Sequence, residues 1–172
     1  MAAAATAGLA LGIWVMTGYA PAADRAVVGS RPPDYMVRRL PQGDSTGMRA
    51  AYQGHVTLIN LWATWCGPCR AEMPSIERLY QAYRDRGFRV AAVSVDEGGA
   101  DAVLAFGRQL GLTFDLLHDQ SGLIQRAYRT DGLPQSILIG RDGRVDYMAM
   151  GAVEWDSPAL RQRVEQLLNS AD

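Results

Sequence analysis

The segment Trp65-Cys66-Gly67-Pro68-Cys69 constrains this chain most, because it holds the only two cysteines among 172 residues. Two cysteines three positions apart close too small a ring to remove much conformational entropy from the unfolded chain, so a purely structural disulfide would stabilise little. A pair at this spacing can instead open and close, exchanging two electrons with another dithiol. The sequence therefore predicts redox chemistry at Cys66 and Cys69.

Other uses of a cysteine pair fit the flanking residues poorly. Attachment of a c-type haem needs a histidine directly after the second cysteine, and position 70 is Arg. A structural zinc site needs four ligands, and His55 and His118 could complete a set only through the tertiary fold. No G-x-G-x-x-G motif follows a predicted strand, so no nucleotide site is indicated. We expect no metal and no cofactor other than the Cys66–Cys69 disulfide.

Composition limits the class of protein. Hydrophobic residues make up 48% of the chain, enough for a single core, and the formal net charge is −1. All 17 basic residues are arginines, and they form no block or stripe, so no nucleic-acid partner is expected.

Residues 1–23 carry no charged side chain, and Ala20-Pro21-Ala22 follows their most apolar stretch. They fit a signal peptide cleaved after Ala22 or a single membrane anchor, and either would place the rest of the chain outside the cytoplasm, in the periplasm or at the outer face of the cytoplasmic membrane. An ordinary cytosolic start is the remaining alternative. We expect membrane contact only through residues 1–23, a linker over 24–34 and one domain over 35–172.

That domain alternates apolar strands and amphipathic helices, as α/β proteins do. The apolar run Val56–Trp62 predicts a buried strand that leads directly into the cysteine motif. Apolar residues at steps of three and four predict a helix from Cys69 to about residue 83, which Pro74 should kink. The other predicted strands cover 35–40, 88–95, 113–117, 134–139 and 144–150, and the other predicted helices cover 100–110, 122–128 and 157–168.

Turn signals complete this pattern. Residues 43–47 read as a loop, and Asp142-Gly143 predicts a two-residue hairpin turn. Ser157 is expected to cap the last helix. The order of elements predicts α/β connections first and an antiparallel pair of strands at one edge of the sheet.

A helix that starts at the cysteine motif gives Cys66 a special environment. Unpaired N–H groups and the positive end of the helix dipole favour its thiolate, which should lower the pKa of the Cys66 thiol. We therefore expect Cys66 to attack and Cys69, one turn deeper, to resolve. Trp65 either covers this pair or only packs against the domain. Gly67 and Pro68 suit a helix start.

Two polar residues are further candidates. Glu72 lies three residues after Cys69 on the same helix face, where it could exchange protons with the thiol, or it could be a solvated glutamate that pairs with Arg78. Asn60, on the strand before the motif, could point under the cysteines or be a hydrogen-bonded core residue. His55, His118, Trp14 and Trp155 are interpreted as structural.

The string NLWATWCGPCRAEMPSIERLY at 60–80 resembles the TlpA/ResA type within the thioredoxin superfamily. VSVDE at 93–97, LGLTFDLLHD at 110–119 and GLPQSILIGRDGRV at 132–145 are similar as well. The resemblance implies a thioredoxin fold, with a central mixed sheet flanked by helices, an N-terminal strand extension and a helix-strand insertion over about 98–117.

The resemblance also implies three further site residues. Glu72 matches the glutamate of the family's active site, and Pro134 matches a cis-proline that faces the cysteines. That proline would leave the Leu133 backbone free to pair with an extended substrate segment. Gln135-Ser136 depart from the residues often found after this proline, which puts a dedicated role in cytochrome c maturation in doubt.

These observations predict a thiol-disulfide oxidoreductase of the cell envelope that reduces disulfides of partner proteins. Apocytochrome c, copper-centre assembly proteins and general envelope thiols all fit as partners. Because the sequence shows no site for NADPH or flavin, another thiol protein, soluble or membrane-bound, would have to recharge the pair. A copper-handling protein and a thiol peroxidase are the alternatives on the same fold.

Overall fold

A computed structural model of the chain describes residues 26–170, so the predicted signal peptide or anchor lies outside the described residues. The strands are β1 Met36–Arg39, β2 Ser45–Gly47, β3 Val56–Trp62, β4 Phe88–Ser94, β5 Asp115–His118, β6 Gln135–Ile139 and β7 Val145–Met150. The helices are α1 Met48–Tyr52, α2 Gly67–Tyr83, α3 Ala100–Gln109, α4 Leu123–Tyr128 and α5 Pro158–Asn169, with a 3-10 turn at Arg84–Arg86.

The seven strands form one mixed sheet in the order β2-β1-β5-β4-β3-β6-β7. Strands β3, β4 and β5 are parallel and joined through α2 and α3, whereas β6 and β7 form an antiparallel pair at one edge. This arrangement confirms the predicted α/β connections, the edge hairpin and the helix-strand insertion.

Strand β3 is the centre of the fold and leads to the cysteines. Every one of its seven residues is buried, because β4 and β6 flank it and helices cover the sheet. Helix α2 packs on the sheet through Met73, Ile76 and Leu79, which are fully buried and stabilise the contact by about 1.5–3 kcal/mol each. Helix α2 continues through Pro74, which lies on its exposed side.

The prediction of a loop over residues 43–47 is wrong for its second half. Residues 45–47 pair antiparallel with β1, with Thr46 opposite Val37, and α1 follows without a break. The prediction is right for the turn at Gly43, which has a φ of 80° and whose amide donates to the Arg39 carbonyl at 2.8 Å. Short polar strands are missed because their pairing partner, not their own sequence, makes them strands.

Two local predictions about turns and caps are also wrong. The β6–β7 connection is longer than two residues, because Gly140 pairs with Arg144 and Gly143 adopts a φ of 77°. A three-residue hairpin of this kind places its glycine in the left-handed region. Ser157 precedes α5 at the cap position, but its side chain makes no capping hydrogen bond.

The described part of the predicted linker runs along the edge of the sheet. The Gly29 amide donates to the Val145 carbonyl at 2.8 Å, and the Val145 amide donates to the Ser30 carbonyl at 2.8 Å. Ala26 is buried there. Within residues 26–170, no helix is both long enough and apolar enough to cross a membrane.

Candidate active site

The two cysteines form a disulfide at the start of α2. Their sulfurs are 2.02 Å apart, and Cys66 occupies the cap position, where its Sγ accepts a hydrogen bond from the Cys69 amide at 3.2 Å. Cys69 is fully buried, while Cys66 keeps 5% of its surface exposed. An amide donor at the helix start favours negative charge on the Cys66 sulfur once the bond is reduced. The sulfur that a partner can reach is therefore also the better thiolate.

A buried carboxylate holds the loop between β3 and the cysteines. Asp96 accepts from the Thr64 amide at 3.0 Å, from the Thr64 hydroxyl at 2.6 Å and from the Ser94 hydroxyl at 2.6 Å. Its carbonyl contacts His118 Nε2 at 2.8 Å, which gives that histidine the structural role predicted for it. The sequence gives no indication of this role for Asp96, because Thr64 lies 32 positions away.

Glu72 is buried and faces the interior, so its interpretation as a solvated residue paired with Arg78 is wrong. Its carboxylate accepts from Asn60 Nδ2 at 2.7 Å and from the Val153 amide at 3.2 Å. Burial raises the pKa of Glu72 to about 7, and these two hydrogen bonds and Trp155 oppose the rise. A carboxylate that titrates near neutrality, one helical turn from Cys69, can take up and release a proton there.

Asn60 joins Glu72 to the neighbouring strand. Its Nδ2 also donates to the Ser136 hydroxyl at 2.9 Å, while its Oδ1 is buried without a hydrogen-bond partner. The interpretation of Asn60 as a hydrogen-bonded core residue is therefore confirmed, and its amide also orients the glutamate; a position under the cysteines stays a prediction. The sequence did not single out Ser136 in this role, which depends on a contact across 76 positions.

A segment after β7 packs against one stripe of α2. The Trp155 amide donates to the Ser75 hydroxyl at 3.0 Å, and that hydroxyl also lies 3.3 Å from the Val153 carbonyl. Three residues further, Arg78 binds Asp156 and lies 2.6 Å from Glu154. Residues 72, 75 and 78 thus hold segment 153–156, which in turn supplies an amide to Glu72. The spacing on α2 was visible in the sequence, but its partner segment was not.

The predicted proline lies at the same end of the sheet as the cysteines. The Leu133–Pro134 peptide bond is cis, as the resemblance implied. Gln135, which follows it, pairs with Leu61 near the end of β3, and the Gly151 amide donates to the Pro134 carbonyl at 2.9 Å. Within residues 26–170, the Leu133 backbone makes no hydrogen bond. Its N–H and C=O remain able to pair with another chain.

An open groove of about 780 Å³ runs beside the motif. Trp65, which is 71% exposed, forms one end, so it borders the groove rather than being packed in the core. Exposed Leu123 and charged Arg126, Arg129, Glu97 and Asp131 line the rest. Among residues 26–170, no three His, Cys, Asp or Glu side chains cluster in a way that could hold a metal ion.

Known proteins that are similar to this chain are described as thiol-disulfide oxidoreductases or thiol:disulfide interchange proteins. The AhpC/TSA family model matches residues 28–148. Thiol-disulfide oxidoreductase ResA of Oceanobacillus iheyensis is 32% identical over 83% of this chain and 71% of its own length, and ResA of Geobacillus kaustophilus is 32% identical over 84% and 81%. A Chlorobium tepidum structure described as thiol:disulfide interchange protein DsbE superposes with a TM-score of 0.74 and 31% identity, covering 83% of this chain and 99% of that one.

Proposed function

The chain belongs to the AhpC/TSA family as a thiol-disulfide oxidoreductase with a thioredoxin fold, and we propose that it reduces disulfides of partner proteins outside the cytoplasm. One observation carries the proposal: a disulfide caps a helix at the protein surface, with a buried glutamate that titrates near neutrality one turn below it. The amide that donates to Cys66 Sγ supports the proposal that this sulfur is the nucleophile.

The proposed reaction consists of two exchanges. The Cys66 thiolate attacks one sulfur of the partner's disulfide, and the partner's other sulfur leaves as a thiolate and takes up a proton. Cys69 then loses its proton and attacks Cys66, which releases the partner's second sulfur as a thiolate. The partner gains two electrons and two protons, and the Cys66–Cys69 disulfide returns. A separate thiol protein must supply electrons for the next cycle.

Glu72 is proposed to take the proton from Cys69 in the second exchange. Cys69 is fully buried, so water has poor access to its thiol. A carboxylate with a pKa near 7 is partly ionised at neutral pH and can accept that proton. Asn60 and the Val153 amide hold the carboxylate in place for the transfer.

We propose that the partner's polypeptide pairs with Leu133 and extends along the groove beside Trp65. The free backbone groups of Leu133 lie next to the end of β3, which leads to the cysteines. A strand-like contact of this kind recognises extended chains with little dependence on their side chains. Apocytochrome c and copper-centre assembly proteins are the partner classes that the family resemblance suggests.

Trapping of the mixed disulfide tests this function. A Cys69→Ser variant lacks the resolving thiol, so it should retain partners on Cys66 as covalent adducts that mass spectrometry of envelope extracts identifies. The variant with both Cys66→Ser and Cys69→Ser is the matched control and should capture nothing. Equal recovery of proteins from both variants would contradict the mechanism. Rapid peroxide consumption by the unmodified protein would favour a peroxidase instead.

The direction of electron flow needs its own measurement. Gly67-Pro68 is the dipeptide of thioredoxin, whose reduction potential is about −270 mV. Redox titration against glutathione should therefore give a strongly reducing value. A potential of about −120 mV, that of a strong disulfide oxidant, would reverse the proposed direction of electron flow.

A further inference from the structure

A second cavity lies at the opposite end of β3 from the cysteines. Its volume is about 290 Å³, at the lower end of the range of small-molecule sites. Helix α1 forms one wall through Met48 and Tyr52, and the sheet forms another through Ile59 and Ile139. Tyr128 and the segment 31–33 close the remaining side. None of these residues belongs to the redox site.

The interior of this cavity is apolar in effect, because its three hydroxyl groups already have partners. The Tyr52 hydroxyl donates to Asp115 Oδ2 at 2.9 Å, and the Tyr128 hydroxyl donates to the Pro33 carbonyl at 3.0 Å. Thr57 is almost fully buried and turns its hydroxyl to the His55 carbonyl at 3.3 Å. A ligand inside would therefore meet carbon surfaces and aromatic rings.

The lining also carries three arginines against two nearby carboxylates, Asp142 in the lining and Asp34, which accepts from the Arg49 amide at 3.0 Å, so the net charge there is positive. Within residues 26–170, neither Arg31, Arg49 nor Arg141 forms an ion pair with a carboxylate. The Nε of Arg141 is buried and has no hydrogen-bond partner. The one acidic residue of the lining, Asp142, already lies 3.8 Å from Arg144. Arg141 Nη2 already donates to the Leu168 carbonyl at 3.3 Å, whereas Arg31 and Arg49 are exposed, so an anion in the cavity can reach their guanidinium groups.

We propose that this cavity binds a single-chain amphipathic anion, such as a medium-chain carboxylate. Its hydrocarbon chain would occupy the apolar interior, and its carboxylate would bind the arginines. Guanidinium groups match the planar carboxylate in shape and charge. The small volume excludes a folded partner, and the net positive charge disfavours a neutral occupant. This site is independent of the proposed redox function.

Calorimetry with octanoate and 1-octanol tests the proposal on the full chain. Octanoate should bind at least tenfold more tightly than octanol, since only the carboxylate can use the arginines. Combining Arg31→Gln with Arg49→Gln should weaken octanoate binding at least tenfold, while Arg38→Gln, an exposed arginine on β1 outside the cavity, should leave binding unchanged. Hydrogen–deuterium exchange should show octanoate-dependent protection at residues 48–59 and 137–143.

Several results would overturn the proposal. Equal affinity for octanol and octanoate, or arginine variants that bind octanoate like the parent, would show that the cavity does not select an anion. Protection confined to other segments would show that octanoate binds outside this cavity. A photocrosslinker at Gln53 that captures residues 1–25 or a second copy of the chain would show that protein occupies the space. If the double variant melts early, the single change at exposed Arg31 should still weaken binding severalfold, and no weakening there would count against the site.

Discussion

At the scale of single residues, Glu72 stands out because it is a carboxylate buried in the interior of the fold. Its ionised form is stabilised by Asn60 Nδ2 and the Val153 amide. Its protonated form needs an acceptor, and Asn60 Oδ1 is a buried acceptor that has no donor. A half-turn of the Asn60 amide would present that oxygen to the protonated carboxyl. The site can thus accommodate both protonation states, as a proton-transfer group requires.

Replacing this glutamate should remove a pH dependence from the second exchange. In the parent, the fraction of ionised Glu72 rises as the pH passes about 7, so the rate at which Cys69 resolves a mixed disulfide should rise over the same interval. In Glu72→Gln that rise should disappear, and the rate at pH 8 should fall on the order of 10²-fold. Stopped-flow measurement with a model mixed disulfide on Cys66 gives the profile.

Glu77→Gln is the matched control, because Glu77 is on the same helix but binds Thr113 rather than the site. Its profile should match the parent. If Glu72→Gln retains the same rising limb, another group accepts the proton and the role of Glu72 is structural.

The sequence could relate the proposed reactive residues to one another because they are neighbours along the chain. Cys66, Cys69 and Glu72 lie on one helix, and their relation follows from helical geometry alone. Ser136 and Val153 contact the same group from 76 and 81 positions away. Trp155 was interpreted as structural, yet it acts on the pKa of Glu72. Such contacts are set by how strands and loops pack, which a local pattern does not specify.

At the scale of elements, segment 153–156 works as a support for α2. Its contacts with Glu72, Ser75 and Arg78 recur every three residues along the helix. The inner two are buried and the third is exposed, so they should contribute unequally. A buried donor without a partner costs far more than a solvent-exposed ion pair.

Ser75→Ala should therefore weaken both the fold and the site. It leaves the Trp155 amide buried without an acceptor, which should lower the free energy of unfolding by about 1–3 kcal/mol. A looser segment also supplies a weaker Val153 amide to Glu72, so the pKa of Glu72 should rise further and the rate profile should move to higher pH. Chemical denaturation and the stopped-flow profile measure the two effects.

Ser157→Ala is the control within the same loop, since the Ser157 side chain makes no capping hydrogen bond. It should change neither quantity measurably. Arg78→Ala should lie between this control and Ser75→Ala in stability, because Arg78 and Glu154 are exposed while Asp156, its other partner, is largely buried. A stability loss in Arg78→Ala equal to that in Ser75→Ala would show that the charges, and not the buried serine, hold the segment.

At the scale of the whole molecule, the parallel centre and the β6–β7 hairpin were predictable, but the outermost pairing at each edge was not. Alternating apolar runs and helices determine the parallel centre β3-β4-β5, whose connections have one favoured hand. At the edges, β2 and the segment 26–30 are defined by hydrogen bonds to a neighbour rather than by apolar periodicity. The cavity between residues 31–33, α1 and the sheet had no sequence signal, because it too depends on contacts between distant parts of the chain.

The buried glutamate also links global stability to pH. Its pKa is 4.5 in an ordinary environment and about 7 in the folded protein, so the folded chain holds this proton over an interval in which the unfolded chain has lost it. Stability should therefore fall as the pH rises from about 4.5 to 7 and stay level above that. The contribution of this group to the loss is about 3 kcal/mol.

Denaturant titrations of the oxidised protein at pH 4.5 and pH 8 can isolate that contribution. Gln cannot ionise, so Glu72→Gln should gain about 3 kcal/mol relative to the parent between the two pH values. Any fixed cost of the substitution is common to both and cancels. Glu77→Gln, tested in parallel, should show no such gain. A parent and a Glu72→Gln variant whose stabilities run parallel with pH would mean that Glu72 stays ionised in the fold, and a proton acceptor for Cys69 poised near neutrality would then have to be sought elsewhere.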